Sequence, residues 1–185
     1  MKLSFEEYVP ATVRAAFVTK VRQVAERLNV KPDWLMGAMY CESGFNAQAV
    51  NRFSGATGLI QFMPKTAANL GTTTAALAAM PAVQQLDYVE RYFRSHATRL
   101  RQAKDWLDLY LVVFYPVAVG KPDSYVLGSQ TPGTPAQKAA MIAKIATQNA
   151  IYAKEGVVTV GSIRAHFEKK PAFVALKKKE PAATV

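Results

Sequence analysis

Residues 33–46 read DWLMGAMYCESGFN, and residues 55–64 read GATGLIQFMP. In the first stretch, Leu35 and Met39 precede Glu42 by seven and three residues, so the three side chains share one face of a helix. Glu42 therefore continues an apolar stripe at the end of a predicted helix, just before a loop that contains glycine.

A carboxyl group in that position is partly removed from water, which raises its pKa. A carboxyl that stays protonated near neutral pH can act as a general acid. The alternative is an ordinary glutamate at a helix end, paired with Arg or Lys, and the pattern around Glu42 alone favours this alternative.

The neighbouring motifs favour the catalytic interpretation. The run 42–46, followed by 55–64 and then by Thr66-Ala67, resembles the soluble lytic transglycosylase family. The resemblance is strong over residues 33–68 and much weaker outside them. It implies a mainly α, lysozyme-like fold, of the kind shared by soluble lytic transglycosylases and goose-type lysozymes, with minor β structure. The segment 112–117 looks more like phage-borne members of the family than bacterial housekeeping ones.

The resemblance also implies a reaction. Glu42 would protonate the glycosidic oxygen between N-acetylmuramic acid and N-acetylglucosamine of peptidoglycan, and an oxocarbenium-like charge would build on the ring. The N-acetyl group of the sugar would assist. Glu42 would then take the proton of the muramoyl 6-hydroxyl, which closes on C1 and leaves a 1,6-anhydro end.

Three further site residues follow from the family motifs. Ser43 would support the catalytic turn. Gln61 would exchange hydrogen bonds with the sugar N-acetyl group or with the surroundings of Glu42, since an amide both donates and accepts. Met63 would form an apolar wall of the sugar site. The alternative role of Ser43 is to cap the C-terminal end of the helix, and both roles can hold together. A methionine such as Met63 more often belongs to the core.

A third family motif, Ala-Tyr-Asn-Ala-Gly, has only a poor counterpart in residues 112–117. Its tyrosine contacts the catalytic glutamate, which makes Tyr115 the candidate here, with Phe114 as the other possible alignment. Four aromatic residues are further candidates for stacking on sugar faces, although most of them should belong to the core: Phe53, Phe62, Tyr115 and Tyr125.

Three other functions compete with the transglycosylase. A hydrolytic muramidase would need a second carboxylate near the first, and no acidic residue lies between Glu42 and Gln61. A structural protein of a phage particle or secretion device would not need to keep Glu42 and Gln61. A nucleic-acid binder is disfavoured because no binding motif accompanies the basic residues. For the muramidase, four aspartates stay open as the second group: Asp87, Asp105, Asp108 and Asp123.

Helical periodicity predicts a mainly α-helical chain. A loop is predicted over 45–58, a proline-rich and glycine-rich loop over 116–135, and an extended segment over 157–160. We expect one lysozyme-like catalytic domain over residues 1–170 and a basic, mobile tail over 171–185. Helices are predicted over about 13–28, 32–42, 64–70, 75–80, 82–100, 106–115, 136–154 and 162–169.

Composition limits the partners. The formal net charge is +10, in part from lysines near the C-terminus, and a basic surface favours polyanions such as an anionic cell envelope. The alternative interpretation of the tail is a basic segment that is exposed to solvent and binds no partner. With one cysteine, Cys41, no internal disulfide is possible, and two distant histidines suggest no metal site. We expect no cofactor, no metal, no specific nucleic acid and a monomeric protein.

The first 20 residues lack the apolar segment and cleavage site of a signal peptide. No apolar run approaches the roughly 20 residues that span a bilayer. We therefore expect synthesis in the cytoplasm and action on the cell wall after phage-type release, injection or secretion.

Overall fold

The computed structural model of the protein describes residues 2–178 and divides into two compact units. The first unit ends at Phe114 and the second begins at Tyr115. The first unit contains a short 3₁₀ helix and seven α-helices. They are the 3₁₀ helix Glu6–Tyr8, α1 (Arg14–Leu28), α2 (Pro32–Ser43), α3 (Pro64–Asn69), α4 (Thr74–Ala79), α5 (Ala82–Ser95), α6 (Ala97–Leu100) and α7 (Trp106–Phe114).

The core of the first unit forms around α7, whose residues from Trp106 to Val112 are all buried. This helix packs against α2, and α1 packs against both α2 and α5. A helix that is apolar on all sides belongs inside a protein, so the sequence prediction of a central helix here is confirmed. The arrangement places α2, which carries Glu42, against the most buried helix of the unit.

The predicted long helix after Pro81 is interrupted at His96, and this part of the prediction is wrong. Instead α5 ends at Ser95, and α6 begins at Ala97. The Ser95 hydroxyl donates to the Tyr92 carbonyl oxygen at 2.7 Å, and His96 Nδ1 lies 3.0 Å from the same oxygen. Side chains that compete for a backbone carbonyl weaken the helical hydrogen-bond pattern, which accounts for the break.

The second unit contains a 3₁₀ helix, Pro116–Ala118, and three α-helices: α8 (Pro135–Gln148), α9 (Val160–Phe167) and α10 (Pro171–Lys178). The helix predicted over 136–154 ends earlier, at Gln148. The Asn149 side chain donates to the Ile145 carbonyl oxygen at 3.0 Å, which satisfies a carbonyl at the helix end.

The sequence predicts a mobile tail from residue 171, and the structure instead forms α10 over Pro171–Lys178. Pro171 stands at the first helical position, where its fixed φ is favourable. Phe173 and Leu176 are three residues apart on one helical face, and both are buried. Residues 179–185 of the predicted tail lie outside the described residues, and the division at residue 170 stays a prediction.

The β structure of the described residues consists of isolated bridges. In the first unit, Thr57 pairs with Val50 and Phe62; in the second, Val126 pairs with Thr159 and Lys154 with Val157. The fold is thus mainly α with minor β, as expected. Between residues 2 and 178, no helix is both long enough and apolar enough to cross a membrane.

Candidate active site

Glu42 lies in the last turn of α2 with its side chain half-buried. Burial raises the pKa of the Glu42 carboxyl to about 8. No residue between 2 and 178 forms a hydrogen bond or an ion pair with this carboxyl. The carboxyl is thus largely removed from water, without a partner for its negative charge among the described residues.

The chain turns sharply after Glu42. Gly44 has a φ of 58° and donates its N–H to the Tyr40 carbonyl oxygen at 3.1 Å, which ends the helix. Phe45 also adopts a positive φ, 68°, which is unusual for a side chain of its size. Its ring is buried and lies 5.9 Å from the Phe17 ring. Packing of the phenyl ring therefore holds the backbone in the strained turn that follows the carboxyl.

Ser43 connects the end of α2 to the second motif. Its hydroxyl donates to the Leu59 carbonyl oxygen at 3.0 Å, and a longer contact of 3.4 Å reaches the Met39 carbonyl oxygen. The first bond spans sixteen residues and joins the two motifs on which the sequence prediction rests. This geometry fits the predicted support of the turn, and the role in catalysis stays a prediction.

Gln85 of α5 also binds the backbone of the loop between α2 and α3, and the sequence analysis did not identify it as a site residue. This side chain is fully buried. Its Oε1 accepts from the Leu59 N–H at 2.9 Å, and its Nε2 donates to the carbonyl oxygens of Ala47 and Leu77, both at 2.6 Å. A glycine at position 58, with a φ of 83°, leaves room for the Gln85 amide. Gln85 is therefore the positioning residue of the loop.

Gln61 lies half-buried in this loop with a φ of 52°. Its Nε2 donates to the Gly58 carbonyl oxygen at 3.2 Å and reaches the Ala49 carbonyl oxygen at 3.4 Å. Its Oε1 accepts no hydrogen bond from residues 2–178. The amide nitrogen thus stabilises the loop, and the amide oxygen is the group that a sugar N–H would meet if the predicted contact exists.

The apolar side chains of the loop differ in exposure. Met63 is 47% exposed, so it is a surface residue and not part of the core. Phe53 is fully exposed, whereas Phe62 is buried. Phe62 is therefore excluded as a stacking surface in this conformation, while Met63 and Phe53 remain candidates for contact with sugar rings.

Tyr92 of α5 is a second residue that sequence reasoning missed. Burial raises the pKa of the Tyr92 hydroxyl to about 12, and the nearby charge of Glu42 contributes in the same direction. The hydroxyl donates its single hydrogen to the Val112 carbonyl oxygen at 3.0 Å. It therefore has no hydrogen left for the Glu42 carboxylate, and Glu42 gains no stabilisation of its charged form from this neighbour.

Phe114 and Tyr115, the two candidates from the third motif, fall on either side of the boundary between the units. The Phe114 ring stacks on the Tyr110 ring, with centroids 5.4 Å apart. In the second unit, burial raises the pKa of Tyr115, and a hydrogen bond with the Gly128 backbone opposes that effect. Which of the two residues faces Glu42 stays a prediction.

The four aspartates that a hydrolytic mechanism might use all have partners within their own unit. Asp87 pairs with Lys20 at 2.6 Å, and Asp123 with Arg164 at 3.1 Å. The other two accept backbone N–H groups: Asp105 from Asp108, and Asp108 from Lys104, each at 2.9 Å. No carboxylate contributes to the pKa shift of Glu42, whose cause is burial.

Both missed residues had a weak signal in the sequence. Gln85 and Tyr92 fall on the same helical face as Val89, at spacings of four and three residues. A polar side chain on the apolar face of an amphipathic helix is a candidate for a buried hydrogen bond. The sequence could not show which backbone groups the two side chains would meet, because those groups lie 8 to 38 residues away and three of the four lie at least 20 away.

Residues 20–99 match the family model described as Transglycosylase SLT domain. The matched segment begins within α1, ends within α6 and includes Glu42, Ser43, Gln61, Met63 and Gln85. No curated protein and no solved structure matches the chain significantly.

Proposed function

We propose that the protein is a peptidoglycan lytic transglycosylase with Glu42 as its catalytic acid and base, because residues 20–99 match the Transglycosylase SLT domain model and the fold is mainly helical. The SLT domain supports a peptidoglycan-degrading function of this type and implies peptidoglycan as the substrate. The observation that carries the proposal for Glu42 is its buried, unpartnered carboxyl, whose pKa is raised to about 8.

In the first step Glu42 acts as the acid. With a pKa of about 8, the carboxyl is protonated in roughly nine of ten molecules at pH 7. It donates this proton to the oxygen between the muramoyl and glucosaminyl rings, the bond to C1 breaks, and positive charge develops on the ring. A desolvated carboxyl at neutral pH is suited to this step.

In the second step the same carboxylate acts as the base. Without a hydrogen-bond or ionic partner among the described residues, the Glu42 anion is poorly stabilised and tends to recover a proton. It takes the proton of the muramoyl 6-hydroxyl, whose oxygen forms a bond to C1. The products are a 1,6-anhydro-muramoyl end and a free glucosaminyl end, and Glu42 returns to its starting state.

The partners of the other carboxylates favour this outcome over hydrolysis. A hydrolase of the two-carboxylate type needs a second free Asp or Glu beside the first, as base or nucleophile. Asp87, Asp105, Asp108 and Asp123 each have another partner. The acidic residue nearest to Glu42 on the C-terminal side of the sequence is Asp87.

The decisive experiment digests purified peptidoglycan and identifies the new glycan ends by mass spectrometry. The wild-type protein should release anhydro-muramoyl ends, and Glu42→Gln should release none. Glu26→Gln is the matched control, because Glu26 is an exposed glutamate of α1. Reducing muramoyl ends would indicate hydrolysis. Failure of the wild-type protein to cleave would favour a structural role in a phage particle or secretion device.

Two further proposals concern delivery. We propose that the protein reaches the cell wall by phage-type release, injection or secretion, and that its basic C-terminal residues bind an anionic envelope surface. Replacing Lys178 and Lys179 by glutamine removes two positive charges from these C-terminal residues and no negative charge. The proposed envelope binding predicts weaker sedimentation with cell envelopes at low salt and little change at high salt. Equal sedimentation of both proteins at low salt would refute it.

A further inference from the structure

A pocket lies in the first unit, near the N-terminal end of α2, whereas Glu42 lies at the C-terminal end of that helix. It has a volume of about 590 Å³, and its lining includes three arginines, one from α1, one from α5 and one at the end of α6, together with a tryptophan. These residues are Arg27, Arg94, Arg101 and Trp34. A volume of this size is typical of sites for small ligands.

Glu90 orients two of the arginines. Arg27 donates from its Nε and Nη2 to the Glu90 carboxylate at 2.6 to 3.0 Å. Arg94 likewise donates to this carboxylate from its own Nε at 2.9 Å and its own Nη2 at 2.8 Å. These hydrogen bonds lower the pKa of Glu90 to about 2. Each guanidinium has five N–H donors, so both keep donors for another acceptor after binding Glu90.

The pocket carries a net positive charge. Three guanidinium groups and one carboxylate give +2. Arg101 forms no ion pair within residues 2–178, and its Nη2 donates to the Thr98 hydroxyl at 3.4 Å. One arginine with an uncommitted charge, beside two that a carboxylate holds in place, is an arrangement suited to planar oxyanions.

Trp34 adds an apolar wall to the pocket. The side chain is 8% exposed, and the indole N–H has no hydrogen-bond partner within the described chain. Lys31 Nζ lies 5.2 Å from the ring centroid. Leu28 and Leu100 are among the other apolar residues of the lining. The indole nitrogen is itself covered by protein, so Trp34 serves as an apolar lining residue and as a local reporter of binding.

We propose that this pocket binds an oxyanion, a carboxylate or phosphate group carried on a larger ligand, at a site distinct from Glu42. Trp34 and Glu42 are eight residues apart on α2, which is roughly 12 Å along the helix axis and about 80° around it. Two sources of such a group exist in a bacterial envelope, the carboxylates of peptidoglycan peptides and the phosphates of envelope polymers. The proposal concerns binding and does not depend on cleavage at Glu42.

The test follows the indole signal of Trp34 by ¹H–¹⁵N NMR. The chain has two tryptophans, so Trp106→Phe assigns their signals. Inorganic phosphate and a soluble peptidoglycan fragment with free peptide carboxylates are titrated into Glu42→Gln, which does not turn over the fragment. A fragment with amidated carboxylates is the third ligand.

A saturable shift of the Trp34 signal is expected with phosphate, with the free-carboxylate fragment, or with both. Phosphate alone would identify phosphate as the source, and a response to the free but not the amidated fragment would identify peptide carboxylates. Arg101→Ala should weaken binding about tenfold. Arg99→Ala, which removes the same charge from α6 outside the pocket lining, should not.

Two results would overturn the proposal. One is that the Trp34 signal shifts neither with phosphate nor with the free-carboxylate fragment. The other is equal weakening by Arg101→Ala and Arg99→Ala, which would mean that the protein attracts anions through its overall charge and not through this pocket. Absence of peptidoglycan cleavage by the wild-type protein, together with intact oxyanion binding, would contradict the proposed function and leave this proposal standing.

Discussion

Replacing Glu42 by glutamine should stabilise the protein, and the gain should grow as the pH rises. In the folded protein the pKa of Glu42 is about 8, against an ordinary value of 4.5. Between these values the folded state holds a proton that the unfolded state releases. The free energy of unfolding of the wild type therefore falls as the pH rises through this interval, whereas glutamine does not titrate.

The size of the effect follows from the two pKa values. Each pH unit in the interval changes the free energy of unfolding by about 1.4 kcal/mol. Relative to a protein with Glu42 always protonated, the free energy of unfolding of the wild type should be lower by about 1 kcal/mol at pH 5 and about 3 kcal/mol at pH 7. At pH 9 the difference should approach roughly 5 kcal/mol. A loss of this size is a large part of the stability of a small domain.

Urea unfolding of the wild type and Glu42→Gln at pH 5, 7 and 9 measures this difference directly. The advantage of the variant should increase by about 4 kcal/mol from pH 5 to pH 9. Glu26→Gln, which removes an exposed carboxyl, should follow the wild type at all three values. If the Glu42→Gln and wild-type curves stay parallel within about 1 kcal/mol, Glu42 is not held in its protonated form by burial, and the reasoning for its role as an acid fails.

Three other predictions concern activity and the loop. Peptidoglycan cleavage by the wild type should fall about tenfold per pH unit above pH 8, as Glu42 loses the proton that it must donate; constant initial rates up to pH 10 would contradict this. Ser43→Ala should lower the free energy of unfolding by about 1 kcal/mol, measured by urea unfolding, because the Leu59 carbonyl loses its donor; an unchanged midpoint would mean that this bond contributes nothing. Gln85→Leu should lower the free energy of unfolding by roughly 3 kcal/mol or more and reduce cleavage, because three buried backbone groups lose their partner. Gln84→Leu, at an exposed neighbouring position, should lower it by less than about 1 kcal/mol. Equal losses in the two variants would argue against a positioning role.

Much of the fold could be predicted because it follows from local patterns. The apolar spacing along α1, the proline at the start of α2 and the continuous apolar run of α7 each specify a helix within a few neighbouring residues. Boundaries were predicted less well. The break at His96 and the end of α8 at Gln148 depend on single side chains that bond to a particular carbonyl.

The C-terminal residues show how tertiary contacts change such a prediction. Lysines and prolines in 171–185 are typical of a mobile tail. Two apolar side chains among them, Phe173 and Leu176, are enough to form α10 once the rest of the second unit offers a surface, as the Phe167 ring does at 5.0 Å from that of Phe173. The sequence alone does not show that this surface exists.

The sequence by itself determined the helical class, the position of Glu42 at the end of an apolar helical face, and the pairing of two motifs that resemble the transglycosylase family. These features depend on the type and spacing of nearby residues, which a chain carries before it folds. Only the tertiary structure decided the chemistry of the carboxyl. Its pKa depends on how much water the surrounding protein displaces and on whether a partner charge is present. The contacts of Tyr92 and Gln85 were decided in the same way, since burial and hydrogen bonding between distant residues arise only when helices pack together.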